Sequence, residues 1–163
     1  MKIIILDDHA LFREGLQYIL QAIDRNIEVL QAPSLKDAQY LLSSHAEIEL
    51  LLIDLDMPVN DGFEALDLFT TLYPTLPCVI LSASTKRTDV EKALEHGALG
   101  YISKASKGEI LRNALKLILS GEIYIPYDIM LSERRQDKNL RVKLTERQLE
   151  VMALRPFRSF LSR

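Results

Sequence analysis

Residues 50–56 read LLLIDLD and residues 2–8 read KIIILDD. Each is a short apolar run that stops on acid. Runs this short suit a strand buried on both faces, as in a parallel sheet covered by helices. Residues 78–82, CVILS, repeat the pattern and end on a hydroxyl, while residues 99–104, LGYISK, end on an ammonium. With one more apolar stretch, the predicted strands are Lys2–Leu6, Ile27–Ala32, Leu50–Asp54, Cys78–Ser82 and Leu99–Ser103.

Helices are predicted between them. A capping box places Ser, Thr or Asp three residues before an acid or Gln. Ser34/Asp37, Asp61/Glu64, Thr88/Glu91, Ser106/Glu109 and Thr145/Gln148 all have this spacing. Apolar stripes at helical intervals follow: Leu11, Gly15, Leu16, Ile19, Leu20 and Ile23; then Leu66, Phe69, Leu72 and Tyr73; then Ile110, Leu111, Ala114, Leu115, Ile118 and Leu119. Gly97 and Gly121 stand where helices should end. Alternating strands and helices imply an open, doubly wound α/β sheet. Its common small form has five parallel strands in the order 2-1-3-4-5, with a crevice at the carboxyl ends of the central strands.

The 163 residues are 48% apolar and 26% charged, a globular composition with material for a core. No apolar run approaches the roughly 20 residues of a membrane span, and the N-terminal run is too short for a secretory signal. Cys78, the single cysteine, excludes an internal disulfide and a thiolate metal cluster, so a reducing, cytoplasmic setting is expected. The net charge of −3 is unevenly spread: residues 132–163 hold nine Lys and Arg against four acids, leaving −8 on the rest. An acidic body with a basic tail suggests two units with different partners. Residues 132–143, SERRQDKNLRVK, lack apolar periodicity and read as a linker. A short helix is predicted from Thr145, with Leu149, Met152 and Ala153 on one face and Pro156 to stop it.

Asp7, Asp8, Asp54, Asp56, Ser82 and Lys104 all fall at carboxyl ends of predicted strands, so the expected crevice gathers them. Crowded carboxylates repel, and either protonation or a bound cation relieves them. A hard divalent ion such as Mg²⁺ suits carboxylates, a carbonyl and a phosphate oxygen. Asp54, ending the central strand, is the candidate nucleophile for an aspartyl phosphate. Asp7, Asp8 and Asp54 are candidate metal ligands, with the Asp56 backbone carbonyl completing the set. Lys104 and Ser82 can steady charge on the transferring group. His9 reads as a helix-opening surface histidine rather than a ligand. Tyr101 reads as packing or as a ring that moves inward when the site is charged.

IIILDDHALFREGL, LLIDLDMPVNDG, VILSAS and GYISKAS together resemble the receiver domain of CheY-like response regulators. Asp-Asp-His and GEIYIP (residues 121–126) are most similar to the NarL/FixJ subfamily. The resemblance spans residues 1–127 and implies a flavodoxin-like fold and phosphotransfer from a sensor histidine kinase. By it, Asp54 is the phosphoacceptor and Asp7 and Asp8 are the acids for Mg²⁺. Ser82 becomes the hydroxyl that meets the phosphoryl group, Ala83 the small residue after it, Lys104 the lysine, and Tyr101 the aromatic switch. With 128–143 as linker, residues 144–163 are similar to the start of a LuxR-type helix-turn-helix, of which only the first helix fits. The implied role is a switch that controls DNA binding in a longer parent. The face of helix four, strand five and helix five is its expected contact with a second copy. Catalysis is limited to the chain's own phosphorylation and dephosphorylation.

Three rivals bear on the same residues. Asp54-Leu55-Asp56 echoes the Asp-x-Asp of haloacid-dehalogenase-like phosphatases, although Met57-Pro58 departs from that motif and Asp7-Asp8 precedes it. A flavodoxin-like FMN binder is disfavoured by the lack of Trp and of a Ser/Thr-rich loop after the first strand. A receiver-like contact domain that is never phosphorylated leaves the acidic cluster without a purpose.

Overall fold

The computed structural model describes residues 1–59, 61–127 and 145–154, so the expected linker and residues 155–163 lie outside the described residues. The elements are β1 (Lys2–Leu6), α1 (Ala10–Ile23), β2 (Glu28–Ala32), α2 (Leu35–Ser44), β3 (Ile48–Asp54), α3 (Gly62–Leu72), β4 (Cys78–Ser82), α4 (Arg87–Glu95), β5 (Tyr101–Ser103), α5 (Gly108–Leu119) and α6 (Glu146–Leu154). The strands pair in parallel in the order β2-β1-β3-β4-β5, as expected.

The unbroken apolar runs are explained by helices on both faces. Ile4, Leu6, Leu51, Ile53 and Ile80 pack in one cluster with residues of α2, α3 and α4. Their neighbours Ile3, Ile5, Leu50, Leu52, Val79 and Leu81 pack in the other with residues of α1, α5 and α6. Successive strand residues point to opposite faces, so a strand with two buried faces can spare no polar position. A Leu→Ala change in such a core costs about 2–5 kcal/mol.

The helix stripes need trimming. Leu11 is 83% exposed, Leu72 55% and Ile110 48%, and Gly15 is also exposed. Each lies at the margin of a stripe wider than the arc its helix buries. The inner face of α1 instead carries buried Arg13 beside Leu16 and Leu20. Two capping boxes are also displaced: α4 begins after Lys86 and α5 after Lys107, neither with a side-chain cap. Asp89, in the first turn of α4, instead bonds the Ser84 hydroxyl. Ser34 does cap α2, accepting from the Asp37 amide, and Asp61 caps α3 by accepting from the Phe63 amide.

Gly97 and Gly121, with φ of 91° and 90°, end α4 and α5 in the left-handed conformation that glycine adopts freely. Beyond α5 the chain returns to the open edge of the sheet, where Tyr124 bridges Gly100 and its carbonyl accepts from the Tyr101 amide at 2.9 Å. Part of the edge expected to meet a second copy is therefore covered by the chain's own GEIYIP segment.

The C-terminal helix turns a different face inward from the one expected. Leu149 is 52% exposed and Ala153 is exposed, whereas Gln148 and Val151 are buried, at 2% and 4%. The inward stripe runs through 148, 151 and 152, which keeps the helical interval but starts on a polar residue.

Candidate functional site

The carboxyl edge of the sheet gathers the expected residues. Asp7 follows β1, Asp54 ends β3, Ser82 ends β4 and Lys104 follows β5. Asp7 and Asp54 are wholly buried. The Lys104 ammonium, on a side chain 12% exposed, lies 2.7 Å from Asp7 Oδ2 and 2.8 Å from Asp54 Oδ2. Neither oxygen receives a directed hydrogen bond among the described residues. Asp8, about one-third exposed, completes an acidic rim whose ligand atoms, with His9 Nδ1, lie within 4.8 Å of one another.

Burial is the main force on Asp54. It pushes the carboxyl above its ordinary range, and the nearby Asp7 charge adds a smaller push in the same direction. The Lys104 ammonium and the Asp56 amide, which donates to Asp54 Oδ1 at 3.0 Å, pull the other way. Two buried carboxylate oxygens facing a single ammonium form a hard, anionic cradle with room for further positive charge. These donors fit a divalent cation that prefers oxygen, with Asp7, Asp8 and Asp54 as its protein ligands.

Other groups hold the cradle in shape. Arg13 Nη1 donates to the Asp7 carbonyl at 2.6 Å and its Nε to Gln31 at 3.1 Å, fixing the turn after β1. The Phe12 ring lies 4.7 Å from Lys104 Nζ and screens the ammonium from solvent. Gly62 opens α3 so close to β3 that an added Cβ would lie 2.4 Å from Leu55 Cα and 2.5 Å from the Asp54 carbonyl oxygen. None of these three roles is read from the sequence. The Asp-Gly pair at 61–62 is a visible signal, because a glycine just inside a helix start suggests close backbone approach. Arg13 carries no such sign: a charged residue two turns from an acidic strand end reads as solvated.

Three residues make contacts beyond those the sequence suggests. The Asp56 side chain is itself engaged: Oδ2 accepts from Ser82 Oγ at 3.1 Å and from the Ala83 amide at 2.8 Å. Ser82 therefore faces Asp56 at the rim. His9 is 63% exposed and precedes α1, as a helix-opening residue should, yet its Nδ1 lies 3.2 Å from Asp7 Oδ1 and 3.0 Å from Asp8 Oδ1. Tyr101 is already inside: its ring is fully buried and its hydroxyl donates to the Ser84 carbonyl at 2.8 Å. Burial also holds the phenol above its ordinary pKa, so it stays protonated and donating.

A five-stranded sheet of this order with this acidic edge defines a class, and comparison with known proteins places the chain in it. The chain belongs to the response regulator receiver domain family, whose model matches residues 3–116. A glycerol metabolism activator from Pseudomonas putida is 35% identical over 133 residues, 82% of this chain and 60% of that protein. The transcriptional regulatory protein LnrK of Bacillus subtilis is 29% identical over 94% of this chain and 76% of its own length. Among solved structures, a LuxR-family two-component response regulator from an Aurantimonas species is similar at TM-score 0.70 and 28% identity. That match covers 83% of this chain and 98% of the other. Among the described residues no helix is long and apolar enough to cross a membrane.

Proposed function

We propose that the chain is a phosphorylation-controlled switch, with Asp54 as the phosphoacceptor, a sensor histidine kinase as donor and Mg²⁺ as the cation. One observation carries this reading: a wholly buried aspartate at the end of the central strand, with one oxygen 2.8 Å from the Lys104 ammonium and 3.9 Å from His9 Nδ1, among further carboxylates.

The transfer balances simply. A carboxylate oxygen of Asp54 attacks phosphorus on the kinase phosphohistidine. A P–O bond forms, the P–N bond breaks, and the imidazole leaves with the electron pair and takes up a proton. Asp7, Asp8 and Asp54, with the Asp56 carbonyl, would hold the cation, whose positive charge would offset that developing on phosphoryl oxygens. Lys104 offers a second positive charge. Ser82 exchanges its bond to Asp56 for one to the new phosphoryl oxygens, and the Ala83 amide is released with it. Water attack on the acyl phosphate restores Asp54 and inorganic phosphate, the only turnover this reading assigns.

The acquired charge acts through the loop after β4. The Ser84 hydroxyl is tied to Asp89 of α4 and the Ser84 carbonyl to Tyr101, so movement of Ser82 reaches both elements. With Tyr101 already inward, the change is a shift between populated arrangements and needs no large swing of the ring. In a longer parent the switch would control a DNA-binding unit in the cytoplasm, and the α4–β5–α5 face would meet a second copy. The transcriptional roles of the relatives support the first of these. The haloacid-dehalogenase alternative is weakened because Asp56, its required second acid, is already committed to Ser82 and the Ala83 amide.

Phosphate-affinity electrophoresis after incubation with acetyl phosphate and Mg²⁺ tests the reading. A retarded band is expected, lost in Asp54→Asn and on chelation of the metal. An equal band in Asp54→Asn would refute it.

A further inference from the structure

Gln148 uses both ends of its amide. Its Oε1 accepts from the Thr145 amide at 2.8 Å while the Gln148 amide donates to Thr145 Oγ1 at 3.3 Å, the reciprocal pair of a capping box. That leaves Nε2, which reaches out of α6 altogether. It donates to the Ala98 carbonyl at 2.7 Å and the Leu94 carbonyl at 3.1 Å. These two acceptors flank Gly97, where α4 ends: the Gly97 amide donates to Leu94 and the Ala98 amide to Ala93. A helix end presents carbonyls with partial negative charge, so a donor is welcome there and an acceptor is not. Beside Gln148, Val151 is buried in the apolar cluster of α1 and α5, with Met152 packed against it.

The residue type is informative. Gln and Glu serve equally at the third position of a capping box. Only Gln can also donate to the foot of α4; a carboxylate there would set negative charge against two carbonyls. The opposite end of α4 is tied through Asp89 to Ser84, two residues from Ser82. One short helix thus links the rim of the acidic site to the seat of α6.

We propose that the Gln148 amide is a donor-specific latch that seats the C-terminal helix on the foot of α4, and that phosphorylation of Asp54, relayed through the far end of α4, loosens it. The coupling rests on Asp54 being the phosphoacceptor, whereas the docking does not. An isolated helix of nine residues is marginal in water, so slow amide exchange in α6 reports its seat on the receiver.

Hydrogen–deuterium exchange on the whole chain tests both halves. Gln148→Glu keeps the cap and removes the donor; amides of 149–154 are expected to exchange about tenfold faster, with the strands unchanged. Thr145→Ala removes a cap acceptor and keeps the donor; only the first turn should loosen. Acetyl phosphate with Mg²⁺ should move the wild-type α6 rate toward that of Gln148→Glu, which itself should change little. Equal protection in wild type and Gln148→Glu, or loss spread over the whole chain, would overturn the latch. Unchanged α6 exchange in a chain that electrophoresis shows to be phosphorylated would overturn the coupling alone. A chain that takes no phosphoryl group overturns the coupling together with the reading of Asp54, while the Gln148→Glu comparison still decides the docking.

Discussion

The two ends of the central strands carry knots of charge built alike, a lysine between two carboxylates, with opposite consequences. At the amino end, Lys2 Nζ lies 2.6 Å from Glu47 and 3.4 Å from Glu28, whose side chains are 64% and 58% exposed. At the carboxyl end, Lys104 meets Asp7 and Asp54, both 0% exposed. The Lys2 ammonium draws the Glu47 carboxyl below its ordinary range, whereas burial drives Asp54 above it. Water screens the first knot, so its pairs contribute little. The second knot is held out of water with more negative charge than one ammonium balances. An ion pair at a strand end contributes little when solvent reaches it and carries a desolvation cost when the fold keeps solvent away.

The strongest way to break the contrast is to remove each lysine. Lys104→Met leaves two buried carboxylates facing each other and is expected to cost about 3 kcal/mol of stability in metal-free buffer at neutral pH. Millimolar Mg²⁺ should return part of it, because the cation replaces the lost charge. Lys2→Met should change the melting midpoint by about a degree at most. Denaturant unfolding with and without Mg²⁺ measures both, and equal losses at the two ends would undo the distinction.

Next in size is Gly62→Ala. Its Cβ would collide with backbone on two sides, at Leu55 Cα and the Asp54 carbonyl, where no side chain can swing away. A loss of about 2 kcal/mol is expected, with slower phosphorylation because the displaced strand end carries Asp54. Wild-type stability and phosphorylation rate in this variant would show that the close approach is not needed.

Asp54→Asn has the reverse sign. A carboxyl whose pKa is raised by folding favours the fold fully below its ordinary value of 3.8, and that contribution is lost as pH rises through the raised value. At neutral pH in metal-free buffer the neutral amide should raise the melting midpoint by about 3 °C. The gain should shrink on acidification toward the ordinary carboxylate value. A lower midpoint, or a gain independent of pH, would contradict the assigned strain. The smallest effect belongs to Glu47→Gln. Glu47 favours the fold above its ordinary pKa and loses that contribution as pH falls through the lowered one, so the variant should be slightly less stable at neutral pH and equal to wild type in acid.

What the sequence discloses follows the same division. Strand-end residues are legible because an apolar run that must be buried on both faces announces where it stops; β1 and β4 have the bounds read from the sequence. β5 reads two residues longer than Tyr101–Ser103: the Leu99 amide and the Gly100 carbonyl do bond to β4, while Gly100 also bridges Tyr124. Local caps are legible where the partner is three residues away, at Ser34 and Thr145. They mislead at Thr88 and Ser106, where helix starts are set by other contacts. Arg13, the Asp56 side chain and the second half of the Gln148 amide escape notice for one reason. Each works on backbone or side chains brought close by folding, and no local period reveals that.

Asp54 is expected to be the single carboxylate that takes the phosphoryl group, although three other acids, Asp7, Asp8 and Asp56, stand around the same strand ends. Borohydride reduces an acyl phosphate to the alcohol, so treatment of the phosphorylated chain converts the acceptor aspartate to homoserine, which peptide mass spectrometry locates. Homoserine is expected at position 54 alone. Homoserine at position 7, 8 or 56, or a phosphorylated chain that yields none, would contradict it.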